Sequence, residues 1–213
     1  MGIADLRTEY ESAGLDVADV VANPVEQWLR WYADAVAAGA HEPNAMVLST
    51  VDENGHPDAR FVLVRRVDEH GFAFYTNLKS AKSLELAHAP QAALTFGWLE
   101  LHRQVRIRGH VIAGPPEEAD AYFASRPRGA QVSAWASPQS EEIPSREWLE
   151  AEVAKIEARY DGTVVPRPPH WGGWRVVPFV MEFWQGRPNR LHDRVRYTQE
   201  EKKGTWRIAR LSP

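Results

Sequence analysis

From Ala45 onward the apolar residues recur at every second position in short runs, each closed by turn residues, and this constrains the fold more than any other feature. The runs AMVLSTV (45–51), ARFVLVRRV (59–67) and FAFYT (72–76) are separated by DENGHP and DEHG, which predicts a three-stranded antiparallel meander. AALTFGW (92–98) and QVRIRGHVIA (104–113) read as two more strands. In the second, Val105, Ile107, Gly109 and Val111 share one face, with Arg106, Arg108 and His110 on the other. VRYTQ and TWRIARL flank the turn EEKKG as a final pair.

Helical signals interrupt these strands. Asn23 as N-cap, Pro24 as first helical residue and Glu26 in the first turn open a helix whose apolar positions are Val25, Trp28, Leu29, Tyr32, Ala35 and Val36, with Gly39 closing it. Ser80 caps a short helix to Ala89, residues 116–125 form another with acids in its first turn, and Ser145 caps a fourth that runs to about Tyr160. Residues 130–144, AQVSAWASPQSEEIP, show no period and read as a connection that is functional or disordered. The sum is seven or eight antiparallel strands with three or four inserted helices, an α+β chain built on a small barrel. Residues 1–19 lack a period and are expected to form a mobile arm, in which Arg7 and Tyr10 could fold over a ligand; residues 20–213 read as one domain.

A chain of 213 residues can bury about 70% of its unfolded surface and needs no disulfide or metal. It has no cysteine, which excludes thiolate catalysis, iron–sulfur clusters and cysteine-based zinc sites. No HExxH or i, i+4 histidine pair suggests a metal either. The opening residues carry acids and no apolar run, so neither a signal peptide nor a membrane span is expected, and the cytoplasm is the default location. A net charge of −4 and a pI near 6.1 argue against a nucleic-acid binder, so local basic clusters must serve a small ligand. Trp135, Trp171, Trp174 and Trp184 stand in loop-like contexts where an indole serves as lid or platform, or simply packs in the core.

The densest chemistry lies in MEFWQGRPNRLHDR, residues 181–194. After a turn at 186–189, Arg190, His192 and Arg194 alternate with Leu191 and Asp193, so an extended segment would present all three to one side. That surface suits an anion, and it equally suits a solvated hairpin edge. Arg60 and Arg65 bracket FVLV at an odd separation, which puts them on opposite faces of a regular strand unless a bulge intervenes. No GxGxxG, GxxxxGK[ST] or GxSxG occurs, so any phosphate must be held by side chains.

RFVLVR, FYTNLKSAK, LHRQV, YFASRPRGAQ, AWASPQS, WGGWRV, EFWQG, RLHDR and the terminal RLSP, in that order, resemble the pyridoxamine 5′-phosphate oxidase family from about Arg7 to Pro213. The resemblance implies a split β-barrel homodimer with FMN at the dimer interface. It also implies oxidation of pyridoxamine or pyridoxine 5′-phosphate to pyridoxal 5′-phosphate, with O2 reduced to H2O2. By resemblance the FMN contacts fall on Arg60, Phe61, Val62, Leu63, Val64, Arg65, Tyr75, Thr76, Lys82, Gln104, Gln139, Ser140, Trp184 and Arg194. The substrate contacts fall on Arg65, Tyr122, Arg126, Arg190 and His192, with Arg7 and Tyr10 as a covering arm; Arg190 and His192 are the expected catalytic pair. Three positions depart from the family pattern: Arg65 replaces a lysine, Ala81 an arginine before the helix lysine, and Ala130 a serine expected on the substrate phosphate. Arg65 and Ala130 keep open a sister flavin oxidase acting on another amine or a reduced heterocycle. A flavin or pyridoxal-phosphate carrier without turnover is a third possibility, against which the intact Arg190 and His192 stand.

Overall fold

The computed structural model describes residues 14–201 and 204–213. Nine strands form one antiparallel sheet: β1 (Ala45–Val51), β2 (Pro57–Leu63), β3 (Arg66–Asp68), β4 (Gly71–Asn77), β5 (Gln91–Trp98), β6 (Arg103–Ala113), β7 (Trp171–Gln185), β8 (Asp193–Gln199) and β9 (Trp206–Leu211). Their order is β2-β1-β5-β6-β7-β4-β3, with β8 on β7 and β9 on β8. The α-helices among the described residues are α1 (Pro24–Ala37), α2 (Ala81–His88), α3 (Pro116–Ser125), α4 (Arg128–Ala136) and α5 (Arg146–Arg159).

The expected meander is not there. ARFVLVRRV breaks after Leu63, and β2 and β3 end at opposite edges of the sheet. Val64 N donates to Asn44 O beside β1 at 3.0 Å, whereas Arg65 N donates to Ala73 O of β4 at 2.8 Å. One peptide link therefore carries the chain from one edge to the other and curls the sheet into a barrel. The strands β7 and β6 form its spine. The first part of β7 pairs with β4 and the last part with β8, and the change of partner falls at a bulge opposite Gly109. A Cβ at Gly109 would lie 2.5 Å from Val177 O, so only glycine lets the strands approach there.

The inward face of β6, with Val105, Ile107 and Val111, joins Phe72, Phe74, Leu94, Phe96, Met181, Phe183 and Val195 in the core, as the alternation predicts. Helix α1 has its Asn23 cap, whose Oδ1 accepts from Val25 N at 2.8 Å. Its buried face carries the expected Trp28 and Ala35, but also Trp31, while Leu29 and Val36 are exposed. Residues 128–136 are helical where the sequence suggested an irregular connection. Trp171, Trp174 and Trp184 belong to β7 and Trp135 to α4, so none sits in a loop.

A smaller apolar cluster of Ala119, Phe123, Val132, Val165 and Trp171 ties α3, α4 and the start of β7 together. Residues 14–21 lie along the barrel: Leu15 N donates to Asp193 Oδ2 at 3.1 Å and Tyr197 Oη donates to Val21 O at 2.7 Å. Among the described residues, no helix is long and apolar enough to cross a membrane.

Candidate functional site

A cavity of about 580 Å3 opens between the two apolar clusters. Its first wall is β4 and the start of β7, where Tyr75 faces Gly173 and Asn77 faces Trp171 in register. A Cβ at Gly173 would lie 2.9 Å from Tyr75 Cε1, so the bare glycine lets that ring lie flat on the strand. Tyr75 then stacks on Tyr122 of α3 at 4.5 Å and on Trp171 at 5.6 Å between ring centroids. The second wall is α4, which presents Ala130, Ser133 and Ala134, together with its C-cap Ser137, at helical spacing. The end of β2, from Phe61 to Leu63, and Arg65 form the third.

The lining contains Arg65, Lys82 and Arg126 and no carboxylate. Among the described residues no acid lies within ion-pair distance, 4.0 Å, of any of these three. Lys82 Nζ donates to neutral oxygens only: Ser80 Oγ at 3.1 Å, Gln139 Oε1 at 3.3 Å and Thr76 Oγ1 at 3.4 Å. Burial, then the nearby charge of Arg60, holds its pKa below the ordinary lysine value. Arg126 Cζ rests 4.9 Å from the Trp171 ring centroid, and its Nη1 is buried with no hydrogen-bond partner. Burial first, and the charge of Arg65 in addition, lowers its pKa as well. Arg65 Cζ sits 5.6 Å from the centroid of Tyr122. Lys82 and Arg126, partly desolvated and with no acid partner among the described residues, favour an anionic ligand, because its arrival restores what burial removed.

The structure thus brings together Phe61, Val62, Leu63, Arg65, Tyr75, Thr76, Lys82, Tyr122, Arg126 and Gln139 of the residues singled out from sequence. Others lie elsewhere. Arg60 is outside the lining, held by Thr50, Asp58 and, at 3.0 Å, Glu85. Val64 is buried in the core, and Ser140, with a left-handed φ of 75°, follows Gln139 outside the lining. Gln104, Trp184 and Arg194 stand in register across β6, β7 and β8 as a second patch. There Arg194 Nε and Nη2 both reach Glu182 Oε1, at 3.0 and 2.9 Å. His192 lies against Trp184, ring centroids 4.6 Å apart, and its Nδ1 accepts from Arg187 N at 3.1 Å.

Arg190 does not join an extended run with His192 and Arg194. Asn189 and Arg190 have φ of 56° and 59°, a short 3-10 turn spans Pro188–Arg190, and β8 starts only at Asp193. Two successive left-handed residues turn the backbone away from the strand path, which breaks the alternation. Arg7 and Tyr10 lie outside the described residues. Asn77, Ser133, Ser137 and Trp171 line the cavity without having been singled out as contacts, although Trp171 had the mark of a platform. The spacing of the small residues on α4 was readable, but such residues carry little hydrophobic signal.

The family pattern of pyridoxamine 5′-phosphate oxidase matches residues 32–160, and that of the pyridoxine 5′-phosphate oxidase C-terminal dimerisation region matches residues 171–213. The chain belongs to the pyridoxamine 5′-phosphate oxidase family. Relatives named pyridoxine/pyridoxamine 5′-phosphate oxidase are 56% identical over 212 residues in Burkholderia thailandensis and 53% over 211 in Paraburkholderia phytofirmans, covering 99% of this chain and of each relative. PhzG from Burkholderia lata, solved with tetrahydrophenazine-1-carboxylic acid, superposes with a TM-score of 0.88 at 31% identity, over 95% of this chain and 99% of that one. A Nostoc punctiforme protein described as pyridoxamine 5′-phosphate oxidase-related and FMN binding has a TM-score of 0.69 at 18% identity, over 87% and 97% of the two chains; it shares the fold. The split-barrel architecture expected of the family is the one observed.

Proposed function

We propose that the protein is an FMN-dependent oxidase that converts pyridoxamine 5′-phosphate and pyridoxine 5′-phosphate to pyridoxal 5′-phosphate in the cytoplasm. The observation that carries this reading is a set of three cations with no acid partner among the described residues: Arg65 and Arg126 on the aromatic wall, Lys82 among neutral oxygens, all in one cavity. Two anionic groups fit that arrangement, the phosphates of a flavin and of a substrate. The donor set suits FMN, with Lys82, Thr76 and Gln139 clustered beside the start of α2, whose first amides add positive potential. When bound there, FMN would supply the two-electron redox chemistry that links oxidation of the substrate carbon to reduction of O2 to H2O2.

The chain's own residues bind and orient. Tyr122 and Arg126, four apart at the end of α3, meet one phosphate together, and Arg65 adds a second guanidinium. In a homodimer, the partner's patch of Gln104, Trp184 and Arg194 is assigned to the flavin, and its Arg190 and His192 to the substrate ring. That places two complete sites at the interface. Nδ1 of His192 accepts from Arg187 N and the ring lies against Trp184, which fixes its orientation for contact with the substrate.

One observation favours a second reading, an oxidase of a reduced heterocycle: the likeness to PhzG extends over nearly the whole chain. Both readings are tested by loading the protein with FMN and supplying pyridoxine or pyridoxamine phosphate in air. Aldehyde and peroxide in equal amounts are expected. Bound flavin with neither substrate consumed would favour the second reading, and a protein unable to hold FMN would overturn both.

A further inference from the structure

We propose that Trp171 is a positioning residue for the substrate's anion: its indole face, in place of a carboxylate, fixes the Arg126 guanidinium at the cavity wall and leaves its charge and donors for a phosphate monoester. The identity of that ligand rests on the functional reading above. Trp171 is 5% exposed and anchored on several sides. Its carbonyl accepts from Arg167 Nη1 at 2.6 Å, and Arg167 Nε in turn reaches Asp120 of α3 at 2.5 Å. Its amide donates to Pro168 O at 3.0 Å, and its ring stacks on Tyr75 with an interplanar angle of 8°.

On this fixed platform Arg126 Cζ lies 4.9 Å from the indole centroid, with Phe123 at 5.6 Å. Both distances are within cation–π range, and tryptophan is the strongest of the aromatic faces. A guanidinium held by a carboxylate is neutralised and has its donors occupied; one held by a ring keeps both. Nη1 of Arg126 is buried and has no hydrogen-bond partner, so no carboxylate among the described residues takes it. Arg65 repeats it on Tyr122, so a single stack of Trp171, Tyr75 and Tyr122 carries two unneutralised guanidiniums.

The test is calorimetric titration of the FMN-loaded protein with pyridoxal 5′-phosphate and, separately, with pyridoxal, in wild type, Trp171→Met and Trp171→Phe. Trp171→Met should weaken the phosphate ester about tenfold and Trp171→Phe about twofold to threefold, with pyridoxal and FMN affinities unchanged. In turnover the same loss should appear in KM, with kcat held. Pyridoxal phosphate bound as tightly by Trp171→Met as by wild type would overturn the proposal, as would equal losses for ester and free pyridoxal, which mark plain packing. Should Trp171→Met fail to fold, Trp171→Phe decides on the same pair of ligands. A wild-type protein that binds no pyridoxal phosphate would overturn the functional reading and the proposal with it.

Discussion

Two arginines at opposite ends of helix α3 live in opposite electrostatic worlds. Arg175, on β7, is 3% exposed and fully paired: Nη1 reaches Asp68 Oδ1 at 2.5 Å, and Nη2 reaches both carboxylate oxygens of Glu118 in the first turn of α3, at 2.9 and 2.8 Å. Arg126, just past the last turn, has aromatic faces and, among the described residues, no acid within ion-pair distance. The first arginine locks α3 to the barrel, and the second is left to bind. Abundance of arginine in the sequence says nothing about which is which; the presence or absence of a buried carboxylate does.

Breaking the paired arginine should have the larger effect. Arg175→Met leaves Asp68 and Glu118 without their partner and should cost about 3–5 kcal/mol in urea unfolding. A loss below about 1 kcal/mol would mean that water or Arg66, which reaches Asp68 at 2.6 Å, neutralises the acids unaided. By contrast, Arg126→Met should leave stability unchanged or slightly raised, since it removes a desolvated cation with no partner to orphan. A melting temperature lowered as much as in Arg175→Met would erase the distinction.

Acid sharpens the same contrast. Burial pushes the Asp68 carboxyl up, but bonds from Arg175, Arg66 and the His70 amide outweigh it and hold the pKa at about 2, against 3.8 for the ordinary group. A lowered folded-state pKa gives stability that is complete above the unfolded value and is lost as pH falls from about 4 toward 2. Denaturation curves from pH 6 to 2 should show this loss, and Asp68→Asn should remove that part of the slope. An unchanged slope in Asp68→Asn would place the acid sensitivity elsewhere. The smallest effect belongs to Arg65→Lys, the residue usual in the family. Lysine keeps the charge without the planar fork, so the KM for pyridoxine phosphate should change a few-fold and FMN affinity less. A greater change in FMN affinity would move Arg65 to the cofactor side.

Much of this arrangement was legible in the chain. The Asn23 cap, the alternation of β6 and the strands around Ala45–Val51 follow from local preference and period, which sequence carries directly. The break after Leu63 was not legible, because FVLVRRV satisfies a continuous strand and only long-range pairing to Asn44 and Ala73 splits it. Helix α4 escaped notice because its cavity face is made of alanine and serine, and its longer-range partner Glu157 of α5, 2.6 Å from Arg128, lies far along the chain. The left-handed Arg190 could not be foreseen, as arginine has no preference for that backbone region. Of the candidate site, the residues on β2, β4 and α3 converge in one cavity, whereas Gln104, Trp184 and Arg194 on β6, β7 and β8 form a separate patch.

The central claim is that unpaired guanidiniums read a phosphate, and the most direct measurement is the ratio of kcat/KM for pyridoxine 5′-phosphate to that for pyridoxine, in wild type and in Arg126→Met. Hydrogen bonds to a charged group are worth about 1.5–3 kcal/mol, so the wild-type ratio should exceed that of Arg126→Met by about 10–100-fold. A ratio that is the same in both proteins would contradict the account.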